Sequence, residues 1–192
     1  MTREEKAVLL ALALGDGHIK RNQPELVVFH CESQKELVMW KHALVKNILG
    51  KCGNIVTKKT CSQTQYGFHV THKYFKVLRR YLYKNGVKHY SESLLNRLGM
   101  LGLAIWHMDD GHLSAKKRNG KVHAYDLGIS TYCSKEEAKT IADWFFRAHG
   151  IRMTCKFNKG KYSVRCGTQG ARLFSSLVRG FIIPSMEYKL LR

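Results

Sequence analysis

The chain has 192 residues, and its 33 Lys+Arg stand against 14 Asp+Glu for a formal net charge of +19. That length admits one domain or two of about 100 residues, and 44% hydrophobic residues are enough to bury a core, which excludes a disordered polyelectrolyte. No apolar run reaches the ~18 residues of a membrane span, and residues 1–5 carry no signal-peptide pattern. A cytosol-like compartment is therefore expected (cytoplasm, nucleoid, phage-infected cell or organelle matrix), with no membrane partner. The six Cys include no Cys-x-x-Cys pair and no regular spacing, so reduced thiols are expected rather than a zinc ribbon or a disulfide framework. Positive charge spread along a whole chain attracts a polyanion through counterion release, so the expected partner is nucleic acid.

The first element is an apolar helix over residues 8–14 that runs into Gly15-Asp16-Gly17-His18. A hairpin turning near Asn22-Gln23-Pro24 fits before Ser33-Gln34-Lys35-Glu36, a capping-box pattern. Leu37, Trp40, Leu44 and Ile48 continue it at helical spacing, and Gly50 is the expected stop. Residues 53–61 and 65–71 alternate as a hairpin, and residues 74–83 read as a closing helix.

The second half repeats this order. An apolar helix over residues 101–108 runs into Asp109-Asp110-Gly111-His112, and a hairpin turns at Arg118-Asn119-Gly120. A second capping box, Ser134 to Glu137, opens a helix with Ala138, Ile141, Trp144 and Phe145, ending at Gly150. Residues 152–158 and 161–166 form a hairpin turning at Lys159-Gly160, and residues 171–178 close the half. The predicted fold class is α+β, with two pseudo-symmetric αββαββα repeats at residues 1–90 and 91–192.

Two apolar helices ending in acid plus glycine, half a chain apart in a basic αββαββα repeat, resemble the LAGLIDADG homing endonucleases of the single-chain, two-motif type. The motifs stand as Leu-Leu-Ala-Leu-Ala-Leu-Gly-Asp-Gly from Leu9 and Leu-Ala-Ile-Trp-His-Met-Asp-Asp-Gly from Leu103. The second motif and the tail Ile183-Pro184-Ser185-Met186-Glu187-Tyr188-Lys189-Leu190 are similar to the subgroup of omega-intron endonucleases. The resemblance implies a DNA-binding saddle of antiparallel sheets. It also implies a monomeric, site-specific double-strand DNA endonuclease that hydrolyses phosphodiester bonds with Mg²⁺. The target would be long, near-palindromic or asymmetric, and read by β-ribbons in the major groove. Two alternatives stay open: an intron-RNA maturase on the same fold, and a non-cleaving DNA-binding regulator.

The chain has only five Asp, and Asp16 and Asp110 each end a motif helix, where a negative charge opposes the helix dipole. Phosphodiester hydrolysis needs a metal to activate water and offset charge on the leaving oxygen, and Mg²⁺ favours carboxylate and water oxygens. Asp16 and Asp110 are therefore the expected catalytic acids and metal ligands, one per DNA strand, with two or three ions between them. Lys88 and Lys189 follow these acids by seventy-odd residues each, and one seven-residue insertion in the second half reconciles the two spacings. In the family a basic residue at this place supports cleavage, so both are expected beside the site. Asn158 resembles a family position that holds active-site water. His18 and His112 lack zinc-ligand spacing.

A two-stranded ribbon fits the B-DNA major groove, and alternate strand residues would face DNA. His18, Lys20 and Asn22 alternate in one expected strand, and His112, Ser114, Lys116 and Arg118 in its counterpart. Lys58, Gln63, Gln65, His69, His123, Tyr125, Lys156, Lys161 and Arg165 complete the expected DNA-facing set.

Overall fold

A computed structural model describes residues 1–61 and 63–192. The chain divides into two compact units, Met1–Lys88 and His89–Arg192. Among the described residues no helix is long and apolar enough to cross a membrane.

The first unit opens with α1 (Arg3–Leu14), β1 (His18–Ile19) and β2 (Glu25–Cys31). It continues with α2 (Lys35–Leu49), β3 (Val56–Lys59), β4 (Thr64–Thr71) and α3 (Tyr74–Leu82). A short hairpin, β5 (Tyr83–Lys84) and β6 (Val87–Lys88), ends it. The sheet order is β1-β2-β4-β3, all antiparallel. Leu26, Val28 and His30 point to one side of β2 and pair with Val70, Phe68 and Tyr66 of β4. That side is covered by α2 through Leu37, Val38 and Val45 and by α3 through Phe75, Leu78 and Leu82. The other side carries Val27, Phe29 and the polar residues described below.

The second unit runs α4 (Glu92–Leu95), α5 (Gly99–Asp110), β7 (Gly111–Arg118), β8 (Lys121–Cys133) and α6 (Lys135–His149). It ends with β9 (Thr154–Asn158), β10 (Lys161–Cys166) and α7 (Thr168–Val178). Its sheet order is β7-β8-β10-β9, again antiparallel. Leu127, Ile129, Val164 and Cys166 face the core against Ile141, Phe145, Ala171 and Phe174. Trp106 of α5 stacks between Tyr90 at 5.8 Å and Phe145 at 6.5 Å between ring centroids.

The expected Ser134–Glu137 capping box forms, with each side chain accepting the other's backbone N–H. The expected Ser33–Glu36 box does not. Glu32–Gln34 make a 3₁₀ turn, so Ser33 sits upstream of the helix start, and the Gln34 side chain turns to His30. Thr2 and Glu5 form a box that no expectation covered. Gly50 and Gly150 end their helices at positive φ, 70° and 68°, as expected of glycine stops. The Asn119-Gly120 and Lys159-Gly160 turns form where expected, with both φ positive in each. Asn85-Gly86 makes a third such turn, in the β5–β6 hairpin that carries Lys88.

Candidate active site and nucleic-acid interface

The glycine of each Asp-Gly-His string sets the local geometry. Gly17 donates its N–H back to the Leu12 carbonyl at 3.0 Å, folding the chain against the last turn of α1. A Cβ on Gly17 would lie 2.2 Å from that carbonyl oxygen, and one on Gly111 would lie 2.3 Å from the His107 carbonyl oxygen. Only glycine lets the chain leave the helix this closely, and the preceding acid is thereby held at the helix terminus. Burial holds the His107 imidazole down to a pKa of about 3, with a smaller opposing effect from its hydrogen bond to the Lys189 carbonyl. His107 is therefore a neutral packing group at physiological pH.

A lysine returns to each helix end. In the first unit Lys88, on β6, donates its ammonium to the carbonyls of Gly15 and of Leu14, the latter at 3.4 Å. In the second, buried Lys189 donates to Met108 at 2.6 Å and to Asp109 at 3.0 Å. Each ammonium thus meets the carbonyls one and two positions before the motif acid, where a cation complements the helix dipole.

The two acids have different neighbours. The Asp16 carboxylate is 40% exposed and lies 3.4 Å from Nδ1 of buried His30. The other ring nitrogen of His30 is 2.9 Å from Nζ of Lys41, itself fully buried in α2. Lys41 and His30 form part of this site and were missing from the sequence expectations. The signal was a lysine at the core-facing position of α2, four residues from both Leu37 and Val45. In the second unit Trp106 donates its Nε1–H to the Asp110 carboxylate at 3.1 Å.

The sheet register sorts the expected DNA-facing residues. In the first unit His18 pairs with Val27, Lys58 with Gln65, and His69 with Val27, so all four polar side chains share the face opposite the core. Lys20 joins them through its ion pair with Glu25, which also lies 3.3 Å from the His69 ring. Burial, then Arg79 and Lys88, holds the His18 ring below its ordinary pKa. In the second unit His112, Ser114 and Lys116 share a face with Arg165, Lys156, Lys161 and Asn158. Arg118 continues that alternation beside the turn, opposite Lys121.

A model of the LAGLIDADG DNA endonuclease family matches residues 6–174. The chain belongs to the LAGLIDADG DNA endonuclease family. The chain is 28% identical over its whole length to Protein RecA of Mycobacterium shimoidei, of which it spans 47%. The chain therefore spans less than half the length of that curated relative. It is 27% identical, again over its whole length, to Probable intron-encoded endonuclease 1 of Wickerhamomyces canadensis, covering 85% of that protein. Among solved structures, the homing endonuclease I-WcaI bound to its DNA recognition sequence matches with a TM-score of 0.79. That match covers 99% of this chain and 87% of the other at 24% identity, and it shows a shared α+β fold.

Against this family frame, five expected residues need correction. Asn22 is not in a strand. β1 stops at Ile19, and Asn22 lies in the loop before Pro24, beside Arg79 and Arg80. Gln63 precedes β4, which starts at Thr64, and its backbone N–H donates to the Thr60 hydroxyl at 3.2 Å. Tyr125 pairs with Ala115 on the core-facing alternation and donates its N–H to Thr168, so it does not face outward with His112. His123 lies at a register shift between β7 and β8, outside the regular alternation. Asn158 lies three strands across and three residues along from Gly111, through Ile129, Val164 and Cys155. Strand spacings put it roughly 17 Å from the helix end, which removes it from Asp110 and groups it with Lys161.

Proposed function

We propose that the chain is a site-specific double-strand DNA endonuclease that hydrolyses phosphodiester bonds with a divalent cation, as a homing endonuclease does. The observation that carries this reading is the repeated helix end. In each unit a carboxylate follows helix carbonyls that a distant lysine holds. A negative charge at a helix C-terminus is unfavourable by itself, yet it occurs twice among only five Asp. A bound cation would add a positive charge beside each carboxylate and helix end, on top of the lysine contact. We assign the two units, Met1–Lys88 and His89–Arg192, as the two family repeats.

The donor set fits a hard cation: carboxylate oxygens of Asp16 and Asp110, with half-exposed access to water. When bound, such an ion supplies an activated water and offsets charge on the leaving oxygen. The protein's own groups hold that arrangement in place. His30, backed by Lys41, orients the Asp16 carboxylate, and the Trp106 N–H orients that of Asp110. Lys88 and Lys189 fix the helix-end carbonyls and place a positive charge beside each acid. Each acid serves one DNA strand, and the polar sheet faces bind the duplex through its major groove and phosphates.

Cleavage selection from a randomised duplex library with Mg²⁺ tests this reading. Recovery of one cut sequence, absent with Asp16→Asn and Asp110→Asn, is the expected result. Enrichment of bound but never cut duplexes would instead support a non-cleaving regulator.

A further inference from the structure

The DNA-facing side of the second sheet carries one buried acid among its cations. Asp126 pairs with Ser114 across β7 and β8, so its side chain shares the face of His112 and Arg165. It is 7% exposed, and its Oδ2 lies 2.6 Å from Nη1 of Arg165 and 3.5 Å from Nζ of Lys116. Gly128 lies between them, opposite both His112 and Arg165. A Cβ there would come within 2.6 Å of the His112 ring, so glycine leaves room for that ring to lie over β8 beside the guanidinium. His112, Asp126 and Arg165 line a concavity that also includes Lys156 and Lys161.

An acid on a surface that must meet a polyanion weakens binding unless it does something there. Pairing with Asp126 neutralises most of the attraction that a phosphate contact by Arg165 would use. It leaves intact what a base contact uses: a planar donor fork with fixed orientation and little rotamer freedom left to lose. Nη1 is engaged by Asp126, while Nε and Nη2 belong to the rest of a side chain that is 25% exposed. Arginine in this pose reads O6 and N7 of guanine, the commonest specific major-groove contact.

Resting on the reading of this face as a DNA surface, we propose that Arg165 reads one guanine in the half-site bound by the second unit. Asp126 is its positioning residue. Lys116, the more exposed partner at 3.5 Å, is left for phosphate.

The test is binding selection from randomised duplexes without added metal, so that recognition is read apart from cleavage. The wild-type chain is expected to select a site with a fixed guanine at one position. Arg165→Ala and Arg165→Lys are both expected to lose about tenfold or more in preference at that position alone. Arg165→Lys keeps the charge, so a folding defect is separable from loss of the fork. Asp126→Asn frees the guanidinium charge. It is expected to blur the same position and to steepen log K against log salt by about one. A uniform loss of affinity across all sequences in Arg165→Ala, with a salt slope shallower by about one, would make Arg165 a phosphate contact and overturn the proposal. A fixed cytosine lost in Asp126→Asn but kept in Arg165→Ala would overturn it in favour of Asp126 as the reader. No selected site in any variant would overturn the DNA-surface reading itself, an outcome distinct from a change at one position.

Discussion

Buried Lys189 donates its ammonium to the Met108 carbonyl at 2.6 Å, one turn's reach from the acid that closes α5. The two residues lie 81 positions apart in the chain, and Lys88 makes the corresponding contact to the end of α1. Under the proposed function this one contact would serve both as a structural cap and as an electrostatic aid to catalysis, and variants can separate the two.

Lys189→Met keeps much of the volume and removes the charge. Loss of a charged donor to buried carbonyls is expected to cost about 1–3 kcal/mol of stability, read as a lower urea midpoint. Loss of one electrostatic stabiliser is expected to slow cleavage roughly a hundredfold. The slowing should fall mainly on one strand, giving nicked intermediates from a supercoiled plasmid that carries the site. Equal slowing of both strands would remove the pairing of one lysine with one strand.

Asp16→Asn and Asp110→Asn are each expected to abolish cleavage while leaving duplex affinity unchanged or slightly tighter. On the proposed reading, affinity would rest on the cationic sheet faces, and each substitution would remove a negative charge from beside phosphates. Gel-shift titration beside a cleavage time course checks both halves. Normal double-strand cleavage by either variant would refute the active-site assignment.

His107 makes stability pH-dependent. Its folded pKa is about 3 against an ordinary 6.5, so between these values the unfolded chain binds a proton that the folded chain does not. The contribution is whole above pH 6.5 and is lost as the pH falls, at about 1.4 kcal/mol per pH unit within that window. Urea midpoints measured from pH 7 to pH 4 are expected to fall steeply, and more shallowly for His107→Gln.

Gly111→Ala is expected to destabilise by about 1–3 kcal/mol, because the new methyl group meets the His107 ring at 2.1 Å and a backbone carbonyl at 2.3 Å. The His107 ring is fully buried, its centroid 4.7 Å from that of Phe174. A thermal melt unchanged from wild type would show that the helix exit relaxes freely.

Much of this protein was legible in its sequence, because the deciding signals are local. The Asp-Gly-His echoes, the Ser134 cap, the glycine stops and the Asn-Gly type turns act over a few residues each, so the order of helices and strands and the two helix-end acids could be read directly. Alternation also placed most sheet residues on their faces, since period-two geometry is a property of any strand. What the sequence could not decide were contacts between residues far apart in the chain. The burial of Lys41 against His30 depends on how α2 lies over β2. The end of β1 at Ile19 and the shift beside Lys117 depend on strand pairing, and those two features moved Asn22 and His123 off the expected face. Asp126 was the clearest case. Only the register of β8 against β7 and β10 brings Lys116 and Arg165 to its carboxylate. A register is fixed by the sum of many cross-strand pairs and by the core they bury, so no short string of residues announces it.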